Sequence, residues 1–177
     1  MDMNYESNSE LSSDATAADT PTHSSVENDL ILPKTPAYQP PRGSFSSAPT
    51  PGRTYLIRHR DLDKTMNVKD GRLSLQYNSD PQAGCYWDCV ETWGWLGFRE
   101  TVSGNHLGRN GWFGFRASAK RHLPWEWFVV VGHGDDGFYL QSPHWWMLRW
   151  VGIGRDGLSL VDVTSSAEAA VWEFVEV

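Results

Sequence analysis

At 177 residues with 40% apolar content, the chain is long enough for one packed domain and a tail. Most of its formal charge of −7 lies in the first 51 residues, where seven acids oppose Lys34 and Arg42. The nearly neutral remainder argues against nucleic acid and anionic membrane surfaces, and no run reaches the roughly 18 apolar residues of a spanning helix.

The start, MDMNYESNSE, has neither a basic n-region nor an apolar h-region, so the expectation is a cytoplasmic or nuclear protein rather than a secreted one. Residues 1–51 hold fourteen Ser or Thr, seven of the ten prolines and no tryptophan. Such a stretch buries too little apolar surface to offset its ordering entropy, which predicts a disordered acidic tail. Within it, Leu30–Pro33 is a short apolar island. Thr20, Thr35 and Thr50 each precede a proline and are candidate phosphorylation sites for a proline-directed kinase.

From residue 52 to 177 the chain is rich in Gly, aromatic and β-branched residues, with turn signals about every ten residues. Three units of about 40 residues are legible there. Each opens with a glycine before a short apolar strand: Gly52 before TYLIR, Gly94 before WLGFR, Gly137 before FYLQS. A second strand follows, at Met66–Val68, His106–Gly108 and Met147–Val151. Then comes an Asp-Gly or Asn-Gly turn: Asp70-Gly71, Asn110-Gly111 and Asp156-Gly157. Both central residues of a type I′ turn need positive φ, which Asn, Asp and Gly tolerate best, so these pairs predict hairpins. The third strands read as segments ending at Leu75, Phe115 and Leu160.

Each unit closes on a related word: WDCVET from Trp87, WEWFVVV from Trp125, WEFVEV from Trp172. Strand periodicity places Trp87/Cys89, Trp125/Trp127 and Trp172/Phe174 inward around a pseudo-threefold axis. Val90, Phe128 and Val175 then face the other way unless a bulge turns them. Asp88, Glu126 and Glu173 read as solvent-facing or bonded to loop N–H groups, since charges buried on the axis would be costly. Three four-stranded units describe an all-β β-trefoil: a closed six-stranded barrel with a cap of three hairpins, which leaves no free edge.

Gly94–Gly108, GWLGFRETVSGNHLG, resembles the fascin-type trefoil repeat, a Gly-aromatic strand followed by a Ser-Gly-x-x-Leu-Gly hairpin. Residues 52–177 as a whole are similar to small fungal proteins with a single fascin-like (actin-crosslinking-like) trefoil and no established activity. The resemblance implies the trefoil fold and a lean towards protein binding, with actin or another cytoskeletal partner as the family-level expectation. Fascins that bundle actin have four trefoils, and this chain has one. Ricin-type lectins carry Gln-x-Trp in each repeat; here Gln76, Gln82 and Gln141 lack the Trp two places on.

The sequence carries no phosphate-cradling loop, no H-E-x-x-H and no nucleophile elbow, so a non-enzymatic protein without cofactor or metal is expected. Cys85 and Cys89 in CYWDC lack the second pair that a zinc site needs, and read as thiols in a reducing compartment. GHGDDG, Gly132–Gly137, reads as a polar connector between units, and Arg116, Lys120, Arg121 and His122 as a solvated basic loop. The densest feature is HWWMLRW. Its His144, Trp145, Trp146, Arg149 and Trp150 are the candidate partner-binding residues, unless the rings close the barrel under its cap. Trp93 and Trp112 are candidates to join them. The sequence reading is thus an intracellular binding protein that contacts another protein, with a carbohydrate-binding trefoil as the alternative.

Overall fold

The three units of the sequence become three sets of four strands. The structure is a computed structural model and describes residues 47–77 and 84–177. The first unit comprises β1 (Thr54–His59), β2 (Lys64–Lys69), β3 (Arg72–Tyr77) and β4 (Tyr86–Thr92). The second comprises β5 (Trp95–Glu100), β6 (His106–Arg109), β7 (Phe115–Ala119) and β8 (Val129–Gly132). The third comprises β9 (Phe138–His144), β10 (Met147–Ile153), β11 (Leu160–Val163) and β12 (Trp172–Glu176).

The outer two strands of each unit form the barrel. β1 pairs antiparallel with β12 and with β4, β4 with β5, β8 with β9, and β9 with β12. Two hydrogen bonds just before β8 close the ring against β5: Leu96 N–H donates to Phe128 O at 3.2 Å, and Phe128 N–H to Leu96 O at 2.8 Å. The inner strands make the hairpins β2–β3, β6–β7 and β10–β11. Backbone bonds tie these together, from Leu75 N–H to Leu158 O at 2.8 Å and from Asp162 N–H to Phe113 O at 2.9 Å. This is a β-trefoil.

Alternate residues of the barrel strands point inward, as a two-residue period requires. Tyr55, Ile57, Trp87, Cys89, Phe98, Phe128, Leu140, Trp172 and Phe174 are all buried there. Phe174 is the hub, with its ring centroid 6.0 Å from Tyr55, 5.6 Å from Phe98 and 5.8 Å from Phe138. Such aromatic pairs contribute beyond the area they bury. Each hairpin adds apolar residues from the cap: Met66 and Leu75, Leu107 and Ala117, Val151 and Leu160. The Trp87 indole donates to Met66 O at 3.2 Å, which joins barrel to cap.

Asp70-Gly71 forms the expected two-residue turn, with φ of 52° and 73° between the paired Lys69 and Arg72. The other two turns differ from expectation. Asn110 and Asp156 open longer loops, so β7 and β11 begin at Phe115 and Leu160 instead of ending there. The cause is side-chain capture of the backbone. Asn110 Oδ1 accepts from Trp112 and Gly114 N–H at 2.9 and 3.0 Å, and Asp156 Oδ1 accepts from Leu158 and Ser159 N–H at 2.9 Å.

The second closing word is a correction to the sequence reading. Trp125 is 54% exposed and Trp127 half-buried, whereas Glu126 and Phe128 are buried. Pro124, which has no N–H, starts a 3-10 turn at Pro124–Glu126 in place of a strand. Glu126 folds back to accept from Leu123 N–H at 3.2 Å. Shifting a strand by one residue exchanges its two faces. Phe128 therefore enters the barrel against Phe98 at 5.7 Å, and Trp127 stacks outside on Trp95 at 5.2 Å. Asp88 and Glu173 stay on the outer wall, each meeting an arginine of the neighbouring strand, Arg99 at 2.9 Å and Arg58 at 3.0 Å.

The chain is already tied to the barrel ahead of Gly52: Pro49 is buried, and Thr50 N–H donates to Tyr55 Oη at 2.9 Å. Thr50 itself is exposed. Thr20, Thr35 and Leu30–Pro33 lie outside the described residues.

The inverted register sets two tryptophans of the repeated word apart. Trp172→Ala should cost about 3–5 kcal/mol, as large aromatic core truncations do. Trp125→Ala should stay within about 1 kcal/mol of wild type. Urea denaturation of the two variants checks this, and equal losses would contradict the register.

Candidate functional site

A cleft of about 380 Å³ opens between the β6–β7 loop, the 3-10 turn and the β9–β10 turn. Three aromatic side chains, Phe113, Trp125 and Trp145, form its walls with Pro124 and Pro143. Arg109, Asn110 and His144 supply its polar groups. Each wall is placed by local backbone chemistry. Asn110 holds the loop that turns Phe113 outward at φ 62°, Pro124 starts the turn that expels Trp125, and Trp145 sits at φ 58° between the paired His144 and Met147. Positive φ is uncommon for bulky residues and costs on the order of 1 kcal/mol or more. Both residues face solvent, Phe113 at 62% and Trp145 at 82% exposure.

Beneath the cleft lies a buried charge cluster. The Asp162 side chain is 1% exposed, and its Oδ2 accepts from Arg109 Nη2, with that arginine 6% exposed. The same oxygen lies 3.5 Å from His144 Nδ1 and 3.7 Å from Arg149 Nε. Among the described residues, Arg109 Nη1, Arg149 Nε and Asp162 Oδ1 have no hydrogen-bond partner.

The cluster breaks the threefold pattern. Cross-strand register pairs Met66 with Leu75, Leu107 with Ala117, and Val151 with Asp162. Two residues on, Val68 pairs with Leu73, Arg109 with Phe115, and Ile153 with Leu160. Asp162 thus stands where the other units have Leu75 and Ala117, and Arg109 where they have Val68 and Ile153.

Of the residues singled out in the sequence, His144 and Trp145 line the cleft, and Arg149 reaches it through Asp162. Trp146 is 87% exposed, its ring 6.1 Å from that of Trp145 on the hairpin tip, so neither fills the barrel. Trp150 points to the opposite face of β10 from Arg149 and packs edge-on against Tyr139 at 5.3 Å. Trp112 is exposed on the β6–β7 loop. Trp93 does not join the cleft; it forms the β4–β5 turn with Gly94 and packs edge-on against Trp127 at 6.1 Å. Arg109, Phe113, Pro124, Trp125 and Asp162 were missed. Aligning the three units would have exposed two of them, as charged residues in apolar columns.

The remaining motifs are structural in their contacts. In GHGDDG, Asp136 pairs with Arg60 at 2.8 Å, and the His133 ring packs on Tyr139 at 4.5 Å. Arg116, Lys120 and Arg121 are exposed, but His122 folds inward and stacks on His106 at 5.8 Å. It lies 2.9 Å from Thr92 Oγ1 and so close to Gly97 that a Cβ there would sit 2.5 Å from its ring. Burial pushes the Cys89 thiol up to about 12, and raises Cys85 as well. Among the described residues no cluster of His, Cys, Asp or Glu is arranged to hold a metal ion.

No protein-family model and no curated protein matches the sequence. Solved structures match by fold. A designed threefold-symmetric protein, ThreeFoil, is 14% identical with a TM-score of 0.61, covering 70% of this chain and 99% of its own. The BEL β-trefoil is 16% identical with a TM-score of 0.60, covering 75% of this chain and 99% of its own. SeviL, solved bound to the asialo-GM1 saccharide, is 12% identical with a TM-score of 0.58, covering 70% and 96%. The chain has the β-trefoil architecture of these proteins.

Burial also lowers the pKa of His59, His106 and His122. These groups stay neutral in the fold but take up protons when unfolded below about pH 6.5. Their contribution to stability is complete above that pH and is lost as pH falls through the lower folded values. Glu126, whose pKa burial raises, acts in the opposite direction and nearer the carboxylate range. The urea midpoint should therefore drop between about pH 7.5 and about pH 5.5; an unchanged or higher midpoint at the lower pH would contradict this reading.

Proposed function

We propose that this trefoil is a non-enzymatic binding module, and that its Phe113–Trp125–Trp145 cleft takes a carbohydrate. The observation that carries the reading is three aromatic side chains and three polar ones in a single pocket. A sugar ring has apolar C–H faces and a polar rim. Aromatic walls suit the faces, while Asn110 and His144 suit the rim. The cleft volume falls within the range of ligand pockets. The saccharide-bound trefoil among the structural neighbours supports the same reading.

Glycoside hydrolysis usually needs a pair of carboxylates flanking the bond. Among the described residues that line the cleft there is none, and Asp162 beneath it is engaged with Arg109. This supports a binding role over a catalytic one.

A protein partner is the second reading. It is favoured by the hairpin tip, where Trp145, Trp146, Met147 and Leu148 are exposed in succession. Aromatic residues on a projecting turn serve as contact anchors. The fascin-like character of Gly94–Gly108 supports this reading and makes actin the partner to test.

A glycan array probed with wild type and with a folded Trp125→Ala/Trp145→Ala variant separates the two. The carbohydrate reading expects a defined glycan set on wild type and at least about tenfold weaker signal on the variant. Silence on the array, together with co-sedimentation of wild type with actin filaments, would favour the protein partner instead.

A further inference from the structure

We infer that the cleft selects saccharides that carry a carboxylate, such as uronic or sialic acids; this rests on the carbohydrate reading above. The threefold symmetry of the cap is broken at Arg109 and Asp162. At the position of Arg109 the other units have Val68 and Ile153, and at that of Asp162 they have Leu75 and Ala117, all apolar. Burying an ion pair there costs desolvation that an apolar pair would not. The cluster is also unbalanced. Arg109 and Arg149 both face one carboxylate, Asp162, so one positive charge of the two arginines is left over. Among the described ion pairs, neither arginine has another acid.

The surplus lies under the cleft. Arg109 lines it, and Arg109 Nη1 and Arg149 Nε are covered and without a hydrogen-bond partner among the described residues. Their charge therefore acts on the cleft through space, in surroundings that screen it less than water does. A neutral sugar gains nothing from that field; a sugar carboxylate does. The aromatic walls set the carrier of that carboxylate as a ring rather than an extended chain.

The test is calorimetric titration of the full chain with matched pairs: methyl glucuronoside and methyl glucoside, galacturonic acid and galactose, N-acetylneuraminic acid and its methyl ester. At least one acid should bind about tenfold tighter than its neutral partner. Raised salt should shrink that preference, and Arg149→Gln, shown to be folded by circular dichroism, should remove it. The salt series on wild type keeps the test decisive if that variant does not fold. Neutral partners that bind equally well would overturn the selectivity while leaving the carbohydrate reading standing. A preference retained in folded Arg149→Gln, or insensitive to salt, would overturn its assignment to the cluster. No binding by any pair, or equal binding of a short peptide through its C-terminal carboxylate, would overturn the reading and the inference together.

Discussion

The barrel closes through one residue pair. Leu96 and Phe128 exchange two backbone hydrogen bonds, and without them β5 and β8 would be open edges. The pairing exists because the segment before β8 arrives in the right phase. Pro124 ends strand geometry, Glu126 ties the turn to Leu123, and Phe128 drops between Phe98 and Phe115. The same phase that admits Phe128 to the core drives Trp125 out. This one-pair seam and the wall of the cleft are thus two sides of one turn. The His106–His122 stack holds the approach to that turn against β5, which is why Gly97 has no room for a side chain.

Against this economy of packing, the Arg109–Asp162 cluster stands out. The other units fill the same two columns with apolar residues, so the repeat itself does not call for a buried carboxylate facing two guanidiniums. Buried ion pairs are weak contributors to stability, and their cost is tolerated where they serve specificity or function. Here the cluster lies under an aromatic cleft whose Phe113 and Trp145 walls both carry backbone strain. Strain, exposed aromatic surface and buried charge coincide at this cleft, and that coincidence is the ground for proposing it as the binding site.

Much of the fold was legible in the sequence because the repeat is written in residues with strong local consequences. Gly52, Gly94 and Gly137 precede β1, β5 and β9, and Asp70-Gly71 makes the turn its composition demands. Trp87 and Trp172 are buried as their alternation requires. The second closing word misled because its letters match the other two while Pro124 stands before it. Proline changed the backbone, and the backbone changed the parity of the side chains that follow within that word, so that Phe128 and Val130 turn inward. The site was half legible. HWWMLRW drew attention through density alone, and it contains two of the cleft's side chains. Apart from Pro143 beside them, the others come from the end of β6, the loop after it and the 3-10 turn, distant in sequence and brought alongside by barrel closure, which no local pattern announces. Arg109 and Asp162 become conspicuous only when the units are compared column by column.

The central claim is that the second unit runs in inverted register, so that Trp125 faces the cleft rather than the core. The most direct measurement is a nuclear Overhauser spectrum of the indole ring protons. The account predicts contacts from Trp125 to cleft residues such as Phe113 and Pro143, with none to the barrel interior. Contacts from Trp125 to Phe98 or Phe174 would place it in the core and contradict both the register and the site built on it.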